Sequence, residues 1–170
     1  SHYTRWPLLL AALLLGVGLG NHPTLAILLV VGAPLLLGSR LLGWRDWASL
    51  ALALAGGLLV YLYLPLAAAG SPPVNWGKPS SLSGFWWAIS GTPYRGYLLG
   101  LPLSQLPFRL VDWSDLLYQH FNLLGVAVGV LGAWHLLDRS RGLLLLTAGP
   151  VVLLGGYSVL YFSRDSFLYL

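Results

Sequence analysis

The sequence predicts an all-α fold, a polytopic bundle of transmembrane helices with about five spans and an interfacial helix in a long external loop. Two observations lead to this fold class. Hydrophobic residues make up 57% of the 170-residue chain and charged residues only 8%. An average soluble domain has about 25% charged residues, so this chain has too little polar surface for a soluble globule. The second observation is that its apolar residues are gathered into runs of nearly membrane-spanning length.

Five such runs approach the ~20 residues with which a helix crosses the hydrocarbon core. Breaks rich in Pro, Gly, Asn and Arg separate them, as expected at helix ends. The first run has no small-residue cleavage site and is interpreted as a span rather than a signal peptide. Pro34 and Pro150 lie inside spans, where membrane helices tolerate kinks. The predicted spans are Trp6–Gly20, Pro23–Ser39, Trp47–Leu66, Asp115–Leu137 and Gly142–Phe162.

The first two spans are short, because ~15 residues reach only ~22 Å. Two interpretations of the tip between them, Asn21-His22, stay open. In one, the tip lies below the outer membrane surface in a protein-lined recess, the only setting in which polar groups are stable at that depth. In the other, the first helix begins before Ser1 and the tip lies among the headgroups.

Cations near the span ends predict the orientation of the chain. Apart from Arg164, those outside the long loop fall on one side, which the positive-inside rule assigns to the cytoplasm together with the N-terminus. The hairpin tip, the loop Ala67–Ser114 and the C-terminal Arg164-Asp165 are then extracytoplasmic. No internal repeat is visible, and residues 1–170 form a single membrane domain, expected to be a fragment of a longer protein. The cytoplasmic cations are Arg5, Arg40, Arg45, Arg139 and Arg141.

The external loop contains the predicted interfacial helix. The run from Lys78 to Ser81 can cap a helix start, and apolar residues follow at helical spacing from Leu82 to Ile89. The simplest interpretation of the loop's many aromatic residues is an anchor in the headgroups. The run Pro72–Gly77 is poor anchor material, since its prolines fix an extended backbone and Asn and Gly favour turns. It is therefore interpreted as shaped for a purpose other than anchoring.

The fourth span is predicted to begin at Asp115 with Ser114 as its cap. Its Gly125, Gly129 and Gly132 form a small-residue face suited to close helix packing. His120 either lines a groove or forms a hydrogen bond within the bundle. No group of residues has the spacing of metal ligands, so no metal is predicted.

Several strings of the sequence carry a family resemblance. "GLGNHPT", "YLYLPL" and "SPPVNWG" lie in its first half, and "SDLLYQHFNLLGVAVGVLGAWHLLDRSR" and "YFSRDSFLYL" in its second. Together they resemble the plexin-type protein O-mannosyltransferase family, which was formerly a domain of unknown function. That family belongs to the superfamily of membrane glycosyltransferases that use lipid-linked sugars. The similarity covers nearly all of the chain, but only the middle third of a family member.

The resemblance implies transfer of a sugar from a polyprenyl- or dolichyl-phosphate to an acceptor hydroxyl on the extracytoplasmic face. The lipid-linked sugar is then a substrate, and no cofactor is expected. The catalytic carboxylate of the superfamily lies in a first external loop that no segment here resembles, so the catalytic residue is unassigned and enzyme activity is an expectation of the resemblance alone. The implied donor- and acceptor-binding residues are Asn21, His22, Asn75, Trp76, Lys78, Arg95, Arg164 and Asp165.

The alternative function is a non-catalytic membrane subunit or scaffold of a larger complex. Predicted partners are the lipid bilayer and the lipid-linked sugar, with an acceptor protein or a larger complex beside them. Scattered cations argue against nucleic-acid binding, and the lack of a charged residue inside a span argues against a transporter. The expected location is a bacterial inner membrane, or the endoplasmic reticulum if the source is eukaryotic.

Overall fold

The computed structural model describes residues 5–39 and 41–162, and within these ranges the chain is helical, without a β-strand. The all-α prediction is confirmed. Short 3₁₀ turns lie at Pro23–Leu25, Leu59–Leu62, Thr92–Tyr97 and Leu103–Gln105. The α-helices are α1 (Trp6–Asn21), α2 (Ala26–Ser39), α3 (Trp44–Leu58), α4 (Tyr63–Ala69), α5 (Leu82–Ile89), α6 (Leu106–Arg139) and α7 (Arg141–Leu160).

Three helical stretches are long and apolar enough to cross a membrane: Trp44–Ala69, Leu103–Arg139 and Arg141–Leu160. The first two predicted spans are also apolar helices, Trp6–Asn21 and Pro23–Gly38, but are shorter. Most of the large apolar side chains in these helices are exposed rather than packed against other described residues. Water disfavours an apolar surface of that extent, whereas lipid accommodates it.

The helices form two compact units. The first contains α1, α3, α4 and α5, and the packing of α1 on α3 is its most extensive contact. The two helices cross at Gly16 and Gly57, where a Cβ built on Gly16 would lie 2.9 Å from the Gly57 Cα and overlap the carbonyl oxygen of Leu54. Only glycine at both positions allows the backbones this close.

α1 and α3 run parallel, because contacts join their starts and their ends. At the starts, an Arg5 nitrogen lies 2.7 Å from Oδ1 of Asp46. The backbone N–H of Gly43 donates to Oδ2 of the same carboxylate at 2.9 Å, which caps α3. At the other end, the hydroxyl of Tyr61, just beyond α3, donates to the Leu19 carbonyl at 2.7 Å.

The second unit contains α6, α7 and the middle of α2. Val31 of α2 contacts Gly149 of α7, and the indole of Trp113 on α6 covers Gly155 of α7. Below that glycine, the fully buried hydroxyl of Ser158 donates to the Gly155 carbonyl at 2.8 Å. These contacts against small residues hold α2 and α6 on α7.

α6 is two helices joined at Asn122, whose φ of 49° and ψ of −178° are not helical. The Asn122 side-chain oxygen accepts from the backbone N–H groups of Leu124 at 2.9 Å and Gly125 at 3.1 Å. Asn122 therefore ends the first helix and caps the second.

The prediction that this span begins at Asp115 with Ser114 as its cap was wrong. α6 begins at Leu106, so both residues lie inside the helix. The Ser114 hydroxyl donates to the carbonyls of Leu110 and Val111, one turn back, and caps nothing. A serine inside a helix satisfies its hydroxyl in this way when no free N–H group is within reach.

The predicted glycine face of α6 makes no close helix contact with the described part of the chain. A Cβ on Gly125 would meet Phe121 of its own helix at 3.1 Å. Around Gly129 and Gly132, the described residues leave 4 Å of open space. Close packing through glycine occurs instead where α1 crosses α3.

Candidate functional site

The turn between α1 and α2 presents polar groups at the end of an apolar hairpin. α1 ends at Asn21 because His22 is extended (φ −142°, ψ 106°) and Pro23 starts a 3₁₀ turn. Nδ1 of His22 lies 2.6 Å from the Thr24 hydroxyl, within hydrogen-bond distance. Asn21 is exposed and His22 half-buried. The contact with Thr24 therefore restrains the orientation of the His22 imidazole.

Tyr61 completes this end of the molecule. The last carbonyls of a helix lack intrahelical donors, and the Tyr61 hydroxyl satisfies one of them, that of Leu19. Beside it, Val60 packs so closely on Gly20 that a Cβ there would overlap it. We call Asn21, His22, Thr24 and Tyr61 the tip cluster. Its backbone is anchored to the segment that follows α3, so the positions of its polar groups relative to one another are fixed.

The second predicted binding segment, residues 70–81, is a loop folded onto α5. Two successive residues have left-handed backbones, Gly77 with φ of 70° and Lys78 with φ of 48°. A Cβ on Gly77 would overlap the indole of Trp87, and one on Gly84 would overlap the carbonyl oxygens of Gly77 and Lys78. The turn is therefore seated on α5, and glycine is required on both sides of the contact.

Hydrogen bonds fix the same turn to the start of α5. The Lys78 carbonyl accepts from the backbone N–H of Ser81 and from its hydroxyl, both at 3.1 Å. The Ser81 hydroxyl oxygen accepts from the N–H of Gly84 at 3.1 Å, which is an N-cap bond. The predicted start of this helix, with serine as cap, is confirmed. Whether α5 lies in the membrane interface stays a prediction.

The side chains on this turn point outward from a fixed backbone. Trp76 is 69% exposed, Lys78 is exposed and Asn75 is half-buried. We call these three residues the Trp76 turn. Because the backbone of this turn is already fixed, a ligand that binds the indole, the ammonium group or the carboxamide does not have to order the backbone as well. Indole faces suit sugar rings and ammonium groups suit phosphate, so the turn has the chemistry that a sugar phosphate requires.

The tip cluster and the Trp76 turn both belong to the first unit, and a short helical path joins them along the chain. Tyr61 lies at the tip, and the helical chain continues from it through α4 to Ala69 before the loop begins. At ~1.5 Å per residue this path rises about 13 Å. The tip cluster is thus set back by roughly that distance from the start of the loop, and the Arg5–Asp46 ion pair lies at the opposite end of α1 and α3.

The structure groups the predicted site residues by segment. Asn21 adjoins His22 at the hairpin tip, and Asn75, Trp76 and Lys78 share one turn. Arg95 is exposed within the 3₁₀ segment Thr92–Tyr97. Arg164 and Asp165 lie outside the described residues, as does the predicted cytoplasmic Arg40. The contacts that fix the tip cluster and those that fix the Trp76 turn are separate sets.

Two polar residues of the tip were missed by sequence reasoning, Thr24 and Tyr61. A tyrosine inside an apolar run is a signal that was available, since a buried phenol seeks a hydrogen-bond partner. Within residues 5–39 and 41–162, no three histidine or carboxylate side chains come together as metal ligands. The polar groups present are suited to hydrogen bonding and to ion pairing with an anion.

No protein-family model, curated protein or solved structure matches this chain.

Proposed function

We propose that the chain is the central membrane segment of a glycosyltransferase that moves a sugar from a polyprenyl- or dolichyl-phosphate to an acceptor hydroxyl on the extracytoplasmic face. One observation carries the proposal: the tip cluster and the Trp76 turn, each held by its own contacts, belong to the same apolar helical unit. A lipid-linked sugar combines the matching chemical groups. Its isoprenoid tail lies in lipid, its phosphate lies at the membrane boundary, and its sugar lies beyond that boundary.

In this proposal all five apolar helical segments cross the membrane, and the tip cluster faces a recess below its outer surface. The parallel course of α1 and α3 supports the topology, because two helices with one crossing between them must run in the same direction. The set-back of about 13 Å supports the recess. Lys78 binds the donor phosphate, Trp76 stacks on a sugar ring, and Asn75 and His22 donate hydrogen bonds to the donor or the acceptor.

Phosphate recognition tests the proposal whatever the identity of the sugar. The purified chain in detergent is mixed with undecaprenyl phosphate or with undecaprenol, and bound lipid is counted by native mass spectrometry. A hydrogen bond to a charged group contributes about 1.5–3 kcal/mol, so we expect the phosphate to bind at least ~10-fold more tightly than the alcohol. Lys78→Gln should reduce that preference severalfold.

The matched control is Arg139→Gln, which removes an exposed cation from the far end of α6. It should leave the preference unchanged. Equal binding of the two lipids, or an equal loss in both variants, would refute phosphate recognition at the Trp76 turn. In the whole protein, His22→Ala and Asn75→Ala should abolish sugar transfer with expression intact, and unaltered turnover in both would contradict their assigned roles.

A second candidate is a non-catalytic membrane subunit of a larger complex. The open space beside Gly129 and Gly132 favours it, since no described helix occupies this small-residue face. Partner proteins retained in mild detergent should then be lost from Gly129→Leu while the variant stays folded. Loss of partners from Gly38→Leu instead, whose surroundings in the described chain are equally open, would contradict the role of this face.

A further inference from the structure

We infer that the first half of α6, residues 106–121, lies in the lipid headgroup interface and that only the second half crosses the membrane. Asn122 is the elbow between the two parts. The occupant of the exposed apolar face of residues 106–121 is then the phospholipid surface itself. This inference depends on membrane residence and not on glycosyl transfer.

Length is the first argument. α6 has 34 residues, which as a straight helix would extend ~51 Å, far more than the ~30 Å of a hydrocarbon core. The part after Asn122 alone reaches about 25 Å, at the short end of the range for a span. The part before Asn122 is therefore not needed to cross the membrane.

The second argument is the distribution of side chains around the first half. At ~100° per residue, Arg109, Asp112, Asp115 and Gln119 fall on one side of the helix. The side away from this stripe has two faces. Leu106, Trp113 and Leu117 on one face are half-buried, and Trp113 lies against Gly155 of α7.

The other apolar face is exposed and lies beside the half-buried one. Tyr118 is 64% exposed and Phe121 58%, and Leu110 and Val111 share the face. Phe108 and Leu116 interrupt the charged side, but every charged residue of this half lies there and the opposite side is mainly apolar and aromatic, which is the pattern of a helix that lies in the plane of the interface. The second half of α6 differs, because from Leu123 to Leu137 it has no charged residue.

The third argument is the backbone at Asn122. Its φ of 49° and ψ of −178° interrupt the helical ladder, and a residue other than glycine adopts such a conformation only when its surroundings stabilise it. The cap bonds to Leu124 and Gly125 satisfy N–H groups of the second half. The carbonyls that end the first half lose their helical donors. Hydrocarbon does not tolerate such groups, whereas water and lipid headgroups do. The break therefore belongs at the membrane surface.

Depth measurement in a bilayer tests the inference. The sequence contains no cysteine, so single-cysteine variants of the whole chain can be spin-labelled and reconstituted into phosphatidylcholine vesicles. Leu110→Cys and Tyr118→Cys probe the apolar face, and Asp112→Cys and Gln119→Cys probe the polar stripe. Leu131→Cys, exposed in the second half, is the mid-span control. Collision rates with oxygen, which dissolves in lipid, and with a water-soluble nickel chelate report the depth of each label.

We expect the ratio of oxygen to nickel collisions to be severalfold higher at residues 110 and 118 than at 112 and 119. The depth of the first pair should be about 5–10 Å into the boundary, and residue 131 should lie deeper than all four. Equal depth at 112 and 131 would show that the first half crosses the core, and free access of the nickel chelate to 110 and 118 would show that it leaves the membrane. Either result overturns the inference.

Discussion

Alanine at Gly57 tests the crossing of α1 and α3, the closest helix contact of the first unit. The new Cβ would lie 2.7 Å from the Val17 nitrogen and 2.8 Å from the Gly16 Cα, and would overlap the Leu13 carbonyl oxygen. Ordinary contacts begin near 3.4 Å, so the backbones must separate by at least about 0.7 Å, a gap that forfeits roughly a quarter or more of each facing dispersion contact.

Overpacking of this kind costs about 1–3 kcal/mol, and the better helix propensity of alanine returns up to about 1 kcal/mol. We therefore expect Gly57→Ala to lower the free energy of unfolding by about 1–2 kcal/mol. Gly129→Ala is the matched control, because described residues leave space beside it. It should be neutral or slightly stabilising.

Unfolding in mixed dodecylmaltoside and SDS micelles, followed by far-ultraviolet circular dichroism, gives both free energies. Gly16→Ala should resemble Gly57→Ala. The double variant should lose less than the sum of the two, because one displacement of the helices relieves both overlaps. If Gly57→Ala is as stable as Gly129→Ala, the helices do not approach as closely as described, and the reasoning is refuted.

Three further substitutions test individual contacts in the same unfolding assay. Tyr61→Phe removes the hydrogen bond to the Leu19 carbonyl and should cost about 1 kcal/mol, while Tyr63→Phe, at a 69% exposed position, should cost nothing measurable. Asp46→Ala removes the α3 cap and the partner of Arg5 and should cost about 1–2 kcal/mol. Gly77→Ala should cost more than Gly91→Ala: both have positive φ, but only at Gly77 would the Cβ overlap an indole, that of Trp87.

Each of these predictions has its own contrary result. Equal effects of the two tyrosine substitutions would show that the hydrogen bond from Tyr61 does not anchor the tip cluster. An Asp46→Ala chain as stable as Arg45→Ala would mean that the cap contributes little. Equal costs at Gly77 and Gly91 would show that backbone strain alone, about 1–2 kcal/mol for a left-handed residue, accounts for the loss and that the turn is not seated on Trp87.

The helical segments could be predicted from the sequence because each depends on residues close together in the chain. Apolar runs and proline or glycine breaks located the helices, and the serine cap located α5. The break in α6 could not be predicted in this way. Asn122 is neither a proline nor a glycine, and the deciding feature is a backbone conformation stabilised by its own cap.

Contacts between distant residues were the harder part of the site and of the packing. Glycine spacing pointed to Gly125, Gly129 and Gly132, yet the close crossing is at Gly16 and Gly57. The spacing of glycines along one helix shows that one face carries small residues. Which helix packs against that face depends on the packing of all the helices together. For the same reason Asn21 and His22 were found in the sequence, whereas the bond from Tyr61, 42 positions beyond its acceptor, was not.

In the proposed topology α1 crosses the membrane, and its length of 16 residues then bears on which bilayer suits the protein. Such a helix reaches about 24 Å, several ångströms less than the ~30 Å of an average hydrocarbon layer. Because the Tyr61 bond and the Arg5–Asp46 pair tie both of its ends to the longer third helical segment, α1 cannot slide or tilt alone to hide the hydrophobic mismatch. The surrounding lipid must adjust instead, so short acyl chains and thin membranes should favour the folded protein.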